Sequence, residues 1–307
     1  MKTAIVTGAS GFLGRALVRE LVQQDYRVWA ISRTKSNRMN SFPSQVEMIS
    51  CDLSEIASLT QKLPGLPYDV FFHLAWSGVS GPERFDAALQ LKNVQWTLDA
   101  LRTAKELGCK RFLGSGSIME YETEVAAHSP GCRPGMGYVY GSGKAAAHAM
   151  CMSLAAQLEI DLVWPIITNV YGPEERSPRL VNSTIQKCIR GESPQFTSGT
   201  QNYDFVYIED AVRALRLIAE KGTPFHEYHI GSGKARPLKE FLLEMQAAIA
   251  PTLPFRFGDI PFTGINLPLE RYDCSQTEAH TGFQSQISFS EGCRRTSAWW
   301  TTQRSAP

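Results

Sequence analysis

Thr7-Gly8-Ala9-Ser10-Gly11-Phe12-Leu13-Gly14 is the stretch from which the fold of this chain can be read. It follows a short β-branched run, Lys2–Thr7, and opens a helix-like segment over 12–24. Strand, glycine turn and helix in that order form a cradle for a dinucleotide. Gly8 permits the tight turn. Gly11 has no side chain, so the backbone can approach a pyrophosphate, and Gly14 lets the helix sit close to the strand. The helix start then offers free N–H groups and a partial positive charge to the phosphates. Three glycines alone would mean only a tight turn. The flanking strand and helix give the trio its meaning.

Outward from this loop, strand and helix signals alternate. Strands are expected at Arg27–Ile31, Val46–Ser50, Asp69–Leu74, Arg111–Gly114 and Asp161–Ile167, and helices over 55–62, 84–107 and 140–158. Such alternation predicts a parallel sheet covered on both faces, an α/β Rossmann-type doubly wound fold. After Asn169 the texture changes, with prolines at 173, 178 and 194 and a second proline-rich stretch over 251–268. A helix over 179–190, a strand at Asp204–Tyr207 and a helix over 208–221 are expected there. The chain then divides into a dinucleotide-binding domain over 1–169, with 204–230 returning to it, and a smaller C-terminal α+β substrate domain over 170–307. The smaller domain is expected to cover the carboxyl edge of the sheet, where ligands of open α/β sheets bind.

Bulk properties exclude several function classes. The net charge is +1, which gives no electrostatic footprint for nucleic acid. The longest apolar runs, such as Val70–Ala75, are far short of a membrane span, so no membrane partner is expected. The start, MKTAIVTGAS, lacks a signal-peptide apolar region, and a cytoplasmic location is expected. Seven cysteines are scattered with no CxxC pair and read as free thiols. The histidines form no HExxH or comparable pair, so no metal site is expected.

Tyr140-Gly141-Ser142-Gly143-Lys144 places a tyrosine and a lysine four apart at the start of a helix, on one face. A phenol near pKa 10 is a poor base at neutral pH. A neighbouring ammonium and an oxidised nicotinamide both favour the phenolate. Tyr140 can then take or give the proton of a carbinol oxygen while hydride moves. Tyr138, its nearest competitor, has no lysine four residues on. At the end of the second strand, Ser32 and Arg33 stand where NAD-selective versions of the fold carry an acid, and Lys35 and Arg38 come soon after. Arg33 offers planar, multidentate recognition of a 2′-phosphate. The cofactor expected is therefore NADP(H), with NAD as the alternative.

The loop spacing is GxxGxxG. Together with motifs spread along the rest of the chain, it resembles the extended branch of the short-chain dehydrogenase/reductase superfamily, the NAD-dependent epimerase/dehydratase type, whose loop reads TGxxGFLG or TGxxGFIG. Cys51-Asp52-Leu53, Phe72-His73-Leu74-Ala75, Asn93-Val94 with Thr97, Asn169-Val170-Tyr171-Gly172-Pro173, Phe205-Val206-Tyr207-Ile208-Glu209-Asp210 and Ile230-Gly231-Ser232-Gly233 resemble family segments. So does the closing pattern from Asp273 through Gly282-Phe283 to Trp299-Trp300. The last motifs are typical of enzymes of nucleotide-linked sugars. The resemblance implies cofactor contacts from Gly8, Ser10, Gly11, Phe12, Leu13, Gly14, Asp52, Leu53, Leu74, Ala75, Asn93, Tyr140 and Lys144, besides Ser32 and Arg33. It implies that Lys144 bonds the nicotinamide ribose. It selects Ser117 as the catalytic hydroxyl, with Ser115 less favoured, and implies a homodimer through helices 84–107 and 140–158.

Departures from the family pattern narrow the chemistry. Nucleotide-sugar 4,6-dehydratases follow the catalytic hydroxyl with an acidic pair, and here those positions are Ile118 and Met119. That leaves keto-sugar reduction or C4 epimerisation. Two arginines that commonly grip the substrate's diphosphate are replaced by Tyr203 and Ile166. Asn169, Arg179 and Arg271, with Arg176, are then the candidate substrate contacts. Two other functions remain open: a NADPH-dependent reductase of small ketones or aldehydes, and a non-catalytic NADP-sensing protein. The sensor would be expected to lose the Tyr-Lys pair that this chain keeps.

Overall fold

Lys2–Thr7 forms β1 and is apolar on both faces. Ala4 and Val6 pack with Leu17, Val18 and Leu21 on one side, while Ile5 packs with Trp29, Leu98 and Leu101 on the other. A strand buried both ways needs helices above and below it. The structure, a computed structural model, describes residues 1–33, 43–133, 135 and 137–305.

Six more strands join β1 in a parallel sheet: β2 (Tyr26–Ser32), β3 (Val46–Ser50), β4 (Val70–His73), β5 (Arg111–Leu113), β6 (Asp161–Ile167) and, after four short strands, β11 (His226–Ile230). Their order is β11-β6-β5-β4-β1-β2-β3. Chain progression reverses between β1 and β4, and the carboxyl ends of those strands open a crevice at this switch point. Helices α1 (Phe12–Gln23) and α7 (Ile208–Lys221) cover one face, and α3 (Ala87–Glu106) and α5 (Tyr138–Leu158) cover the other.

Beyond the sheet, β7 (Asn169–Tyr171) pairs in parallel with β10 (Phe205–Tyr207). Next come α6 (Leu180–Ile189), β8 (Gln195–Phe196), β9 (Asn202–Tyr203), β12 (Arg236–Pro237), α8 (Leu238–Ile249), β13 (Arg256–Phe257), α9 (Ser275–Thr281) and α10 (Phe289–Ser305). β12 pairs antiparallel with β9, and β13 pairs in parallel with β8.

Two expected helices are divided. Segment 55–62 is a 3-10 turn, Leu53–Ser58, followed by α2 (Leu59–Lys62). Segment 84–107 begins with a separate 3-10 turn, Pro82–Phe85, and α3 starts afresh where Asp86 accepts the Leu89 N–H at 3.1 Å. Helix α4 (Met119–His128), like α8, α9 and α10, carries no sequence expectation. Its first-turn acids, Glu120 and Glu122, suit the positive end of a helix.

Candidate active site

The glycine cradle closes against the neighbouring strand. Gly8 has φ +70°, and a Cβ there would lie 2.8 Å from the Ala75 nitrogen. A Cβ on Gly14 would meet the Gly8 carbonyl oxygen at 2.1 Å. Thr7 fixes the same junction: its hydroxyl bonds His73 Nδ1 at 3.0 Å and accepts the Ala75 N–H at 3.3 Å. Burial drives the His73 imidazole down to about 3, so it is neutral. Helix α1 begins after Gly11 with no side-chain cap, leaving its first N–H groups facing the cleft. A bare glycine turn joined to an uncapped helix start fits a dinucleotide pyrophosphate.

The cleft is one cavity of about 730 Å³. Gly8, Ser10, Gly11, Phe12, Leu13 and Gly14 line one end, with Leu74 and Ala75 beside them. Ser32, Arg33, Asp52 and Leu53 line it at the β2 edge. Ser32 is buried and Arg33 exposed, and no carboxylate ends β2. Asp52 accepts the Ser54 N–H at 2.9 Å and the Ser54 hydroxyl at 2.7 Å, bonds that hold its carboxyl below the usual range. Lys35 and Arg38 lie outside the described residues.

The other end of the cavity holds Ser115, Ser117, Tyr140 and Lys144. Lys144 is 3% exposed and donates to the Ser115 carbonyl at 2.7 Å and the Ser115 hydroxyl at 3.2 Å. Its Nζ sits 3.8 Å from the centre of the Trp76 ring. Burial pulls Lys144 down to about 7, against the Glu120 carboxylate. Tyr140 is also buried, and desolvation raises its phenol above the ordinary value. Arg84, then Arg179, then the Ser117 hydroxyl pull the phenol back, and Glu120 opposes them. Ser115 is therefore engaged by Lys144, while Ser117 is the hydroxyl beside the phenol. The Ser117 N–H donates to Glu120 Oε1 at 2.8 Å, and the Ser117 hydroxyl accepts the Met119 N–H at 3.3 Å. Glu120 is buried and also meets His148 Nδ1 at 3.0 Å and Trp164 Nε1 at 3.4 Å, so its charge is shared among donors.

Asn169 and Arg179 line the cavity, but Asn93 and Arg271 do not. Asn93 is buried behind the loop after β4, where its amide accepts the Ser77 N–H at 2.9 Å and donates to the Ser77 carbonyl at 2.8 Å. It braces that loop instead of facing the cleft. Arg271 pairs with Glu124 at 3.4 Å and stacks over Tyr121, and Arg176 stacks over Trp299.

Trp76, Arg84 and Glu122 are among the cavity residues that carry no sequence expectation. The Arg84 guanidinium carbon stands 4.2 Å from the centre of the Tyr140 ring. Burial pushes the Glu122 carboxyl up to about 7, with Arg84 opposing. Glu122 lies one helical turn beyond Met119, so a carboxyl reaches the cavity although positions 118 and 119 are apolar. Acids and arginines are so frequent on surfaces that only packing singles these out.

Elsewhere, ligand atoms of Asp204, His229 and Cys274 lie within 4.8 Å of one another, a grouping that the scattered sequence positions conceal. Asp204 is already employed: its carboxylate accepts the Ser232 N–H at 2.8 Å and the Ser232 hydroxyl, pinning the turn after β11.

The family model described as NAD dependent epimerase/dehydratase family matches residues 4–231. The chain is 24% identical to the dTDP-glucose 4,6-dehydratase of Haemophilus influenzae, over 98% of each protein. It is 25% identical to the UDP-glucose 4-epimerase of Mycolicibacterium smegmatis, over 95% of this chain and 96% of that one. A solved UDP-glucuronic acid 4-epimerase from Bacillus cereus, in complex with UDP-glucuronic acid and NAD, superposes with a TM-score of 0.79 at 20% identity. That match covers 98% of this chain and 99% of the other, and at such identity it is a likeness of fold.

Proposed function

The chain belongs to the NAD dependent epimerase/dehydratase family, and from that premise we propose an NAD(P)-dependent oxidoreductase of nucleotide-linked sugars. The reaction is reduction of a keto sugar or epimerisation at C4, with Tyr140 as acid and base. One observation carries this reading: a single cavity joins the glycine cradle to Ser117, Tyr140 and Lys144.

The dinucleotide, when bound, supplies the hydride acceptor or donor. Tyr140 takes the proton from a carbinol oxygen in oxidation and returns it in reduction. The Ser117 hydroxyl bonds that oxygen and holds it toward the phenol. Lys144, anchored on Ser115, adds positive charge beside the reacting centre. In this scheme the sheet, with 204–230 included, holds the dinucleotide, and the remainder of 170–307 walls the substrate side. Asn169 and Arg179 are the substrate contacts kept, and Arg271 is dropped because it faces Glu124.

Ser32 and Arg33 favour NADP(H), because they offer a hydroxyl and a planar cation where a 2′-phosphate would need them. The NAD bound in the Bacillus cereus structure supports the alternative. A second reaction, elimination of water, is favoured by one feature only, the Glu122 carboxyl in the cavity.

The test is to denature the purified protein, identify any dinucleotide released, and then assay UDP-, dTDP- and other nucleotide sugars. An epimerase oxidises and re-reduces one substrate and tends to retain its cofactor. Stoichiometric NAD(H) supports epimerisation and overturns the role given to Arg33. An empty protein that binds NADPH more tightly than NADH supports reduction. Turnover of simple ketones with none of nucleotide sugars would sink the substrate class, and turnover unaffected by Tyr140→Phe would sink the mechanism.

A further inference from the structure

We propose that Glu120, clamped by His148, is the positioning residue of Ser117 and sets the direction in which its hydroxyl gives a proton. This rests on the role proposed for Ser117 at the substrate oxygen. The bonds are direct and reciprocal. Glu120 Oε1 accepts the Ser117 N–H at 2.8 Å, and the Ser117 hydroxyl accepts the N–H of Met119, the first residue of α4, at 3.3 Å. Both bonds meet N–H groups that a helix start leaves without partners. A serine hydroxyl has one proton and two lone pairs. With a lone pair filled from the helix side, the proton remains for the substrate oxygen.

The carboxylate that holds the serine is itself held by separate elements. Glu120 is 5% exposed. Its Oε2 meets His148 Nδ1 at 3.0 Å, and its Oε1 meets the Trp164 indole N–H at 3.4 Å. Trp164, buried on β6, also carries the His148 ring, stacked at 4.7 Å and 4° from parallel. Gly116 keeps the space open: a Cβ there would lie 2.6 Å from Trp164 Nε1 and 2.8 Å from Glu120 Oε1. Tyr140, Lys144 and His148 recur every four residues on α5, so they follow one another along one face. One rigid helix thus carries the phenol, the ammonium and the imidazole that clamps the carboxylate of Ser117.

An exposed glutamate would meet the Ser117 N–H equally well and stay in water. Burying a carboxylate costs free energy even when it is paired. What burial adds here is a fixed place: donors on β6 and α5 hold the carboxylate, and the carboxylate holds the serine. A second acid, Glu227 on β11, stands 3.8 Å from His148 Nδ1, but it takes the Tyr121 hydroxyl as a donor. Glu120 is the nearer acceptor and the one bonded to the serine segment.

The experiment compares Glu120→Gln with Glu120→Leu in the dinucleotide-loaded protein, each with Ser117 present and with Ser117→Ala. Both variants remove the charge that opposes the loss of the Lys144 proton. Only Gln keeps an acceptor for the Ser117 N–H, so the difference between the two isolates that bond. kcat and KM are measured with the substrate turned over best, nucleotide sugar or simple ketone. With Ser117 present, Glu120→Leu is expected to fall about tenfold or more below Glu120→Gln in kcat, with little change in KM. With Ser117→Ala the two should turn over alike, because Glu120 then has no hydroxyl to place. The same kcat ratio in both backgrounds, or a loss confined to KM, overturns the proposal. If Glu120→Leu does not fold, His148→Asn against His148→Leu makes the comparison at the clamp, since Asn can still donate to Glu120 and Leu cannot. Turnover of simple ketones alone would sink the nucleotide-sugar reading and leave this comparison to decide the role of Glu120. Normal turnover by Ser117→Ala would remove the role of Ser117 and this proposal together.

Discussion

At Gly14 the backbone leaves no room for a methyl group, since a Cβ would sit 2.1 Å from the Gly8 carbonyl oxygen and 2.9 Å from the Ala9 Cα. These are backbone atoms, so helix α1 itself must move away from the turn. Gly14→Ala is expected to cost about 1–3 kcal/mol of stability and to weaken dinucleotide binding by about tenfold or more. Calorimetry and a fluorescence titration with NADPH and NADH check both. Gly65→Ala, where nothing lies within 4 Å, should change neither. Glu122 yields a prediction about pH. Its carboxyl is raised from an ordinary value of 4.5 to about 7 by burial, against Arg84. Below the unfolded value it is protonated in both states and contributes nothing. As pH rises toward the folded value, the unfolded chain releases its proton first and the fold loses stability, and above it the loss is complete. Glu122→Gln should therefore gain on wild type between about pH 4.5 and about pH 7 and hold level beyond that. Urea unfolding at several pH values decides it, and a difference independent of pH would disprove the burial of this charge.

The element that matters most to the candidate site is the loop between β4 and α3. It has no regular structure before its 3-10 turn, so its shape depends on the amides of Gln90 and Asn93 beneath it. Replacing Gln90 with Leu removes the acceptor of the Trp76 indole and the donor to the Gly78 and Glu83 carbonyls, leaving buried polar groups unpaired at about 1–3 kcal/mol. The expected result is a lower Tm together with a kcat loss larger than the change in dinucleotide affinity, because Trp76 and Arg84 shift while the glycine cradle stays. A Gln90→Leu protein with normal kcat would show that the loop holds itself. How far such an element can be read in advance depends on its periodicity. β1, α1 and α5 carry long local patterns and are legible. Helix α4 follows the serine segment directly, and its acids and apolar residues fall on mixed faces, so nothing in it marks a helix start except the acids of its first turn. The break at Pro82–Phe85 is written in Gly81-Pro82 and in Asp86, a turn followed by a helix cap, yet the continuous helical pattern around them masks it.

At the scale of the whole molecule, α3 and α5 lie together on one face of the sheet and keep apolar side chains in solvent. Leu91 is 68% exposed and Met150 50% exposed. We propose that these two helices form a homodimer interface. Leu91→Glu with Met150→Glu should convert a dimer into a monomer in light scattering after gel filtration, while wild type that runs as a monomer at assay concentration would refute the interface. No helix among the described residues is long and apolar enough to cross a membrane. The sequence by itself determined the parallel sheet, the glycine cradle and the shared face of Tyr140 and Lys144. Each of these depends on spacing within one element or across one turn, where backbone geometry dictates which side chains meet. It placed Asn93 at the cofactor and ranked Arg271 with Arg179, and in the fold Arg179 lines the cavity while Asn93 and Arg271 do not. Asn93 turned inward to clasp Ser77, and Arg271 paired with Glu124. Only the tertiary structure brought Arg84 over the Tyr140 ring and Glu122 into the same cavity. The direction of a side chain across a cleft is set by how separate elements pack and how their loops close, and no spacing along the chain records that.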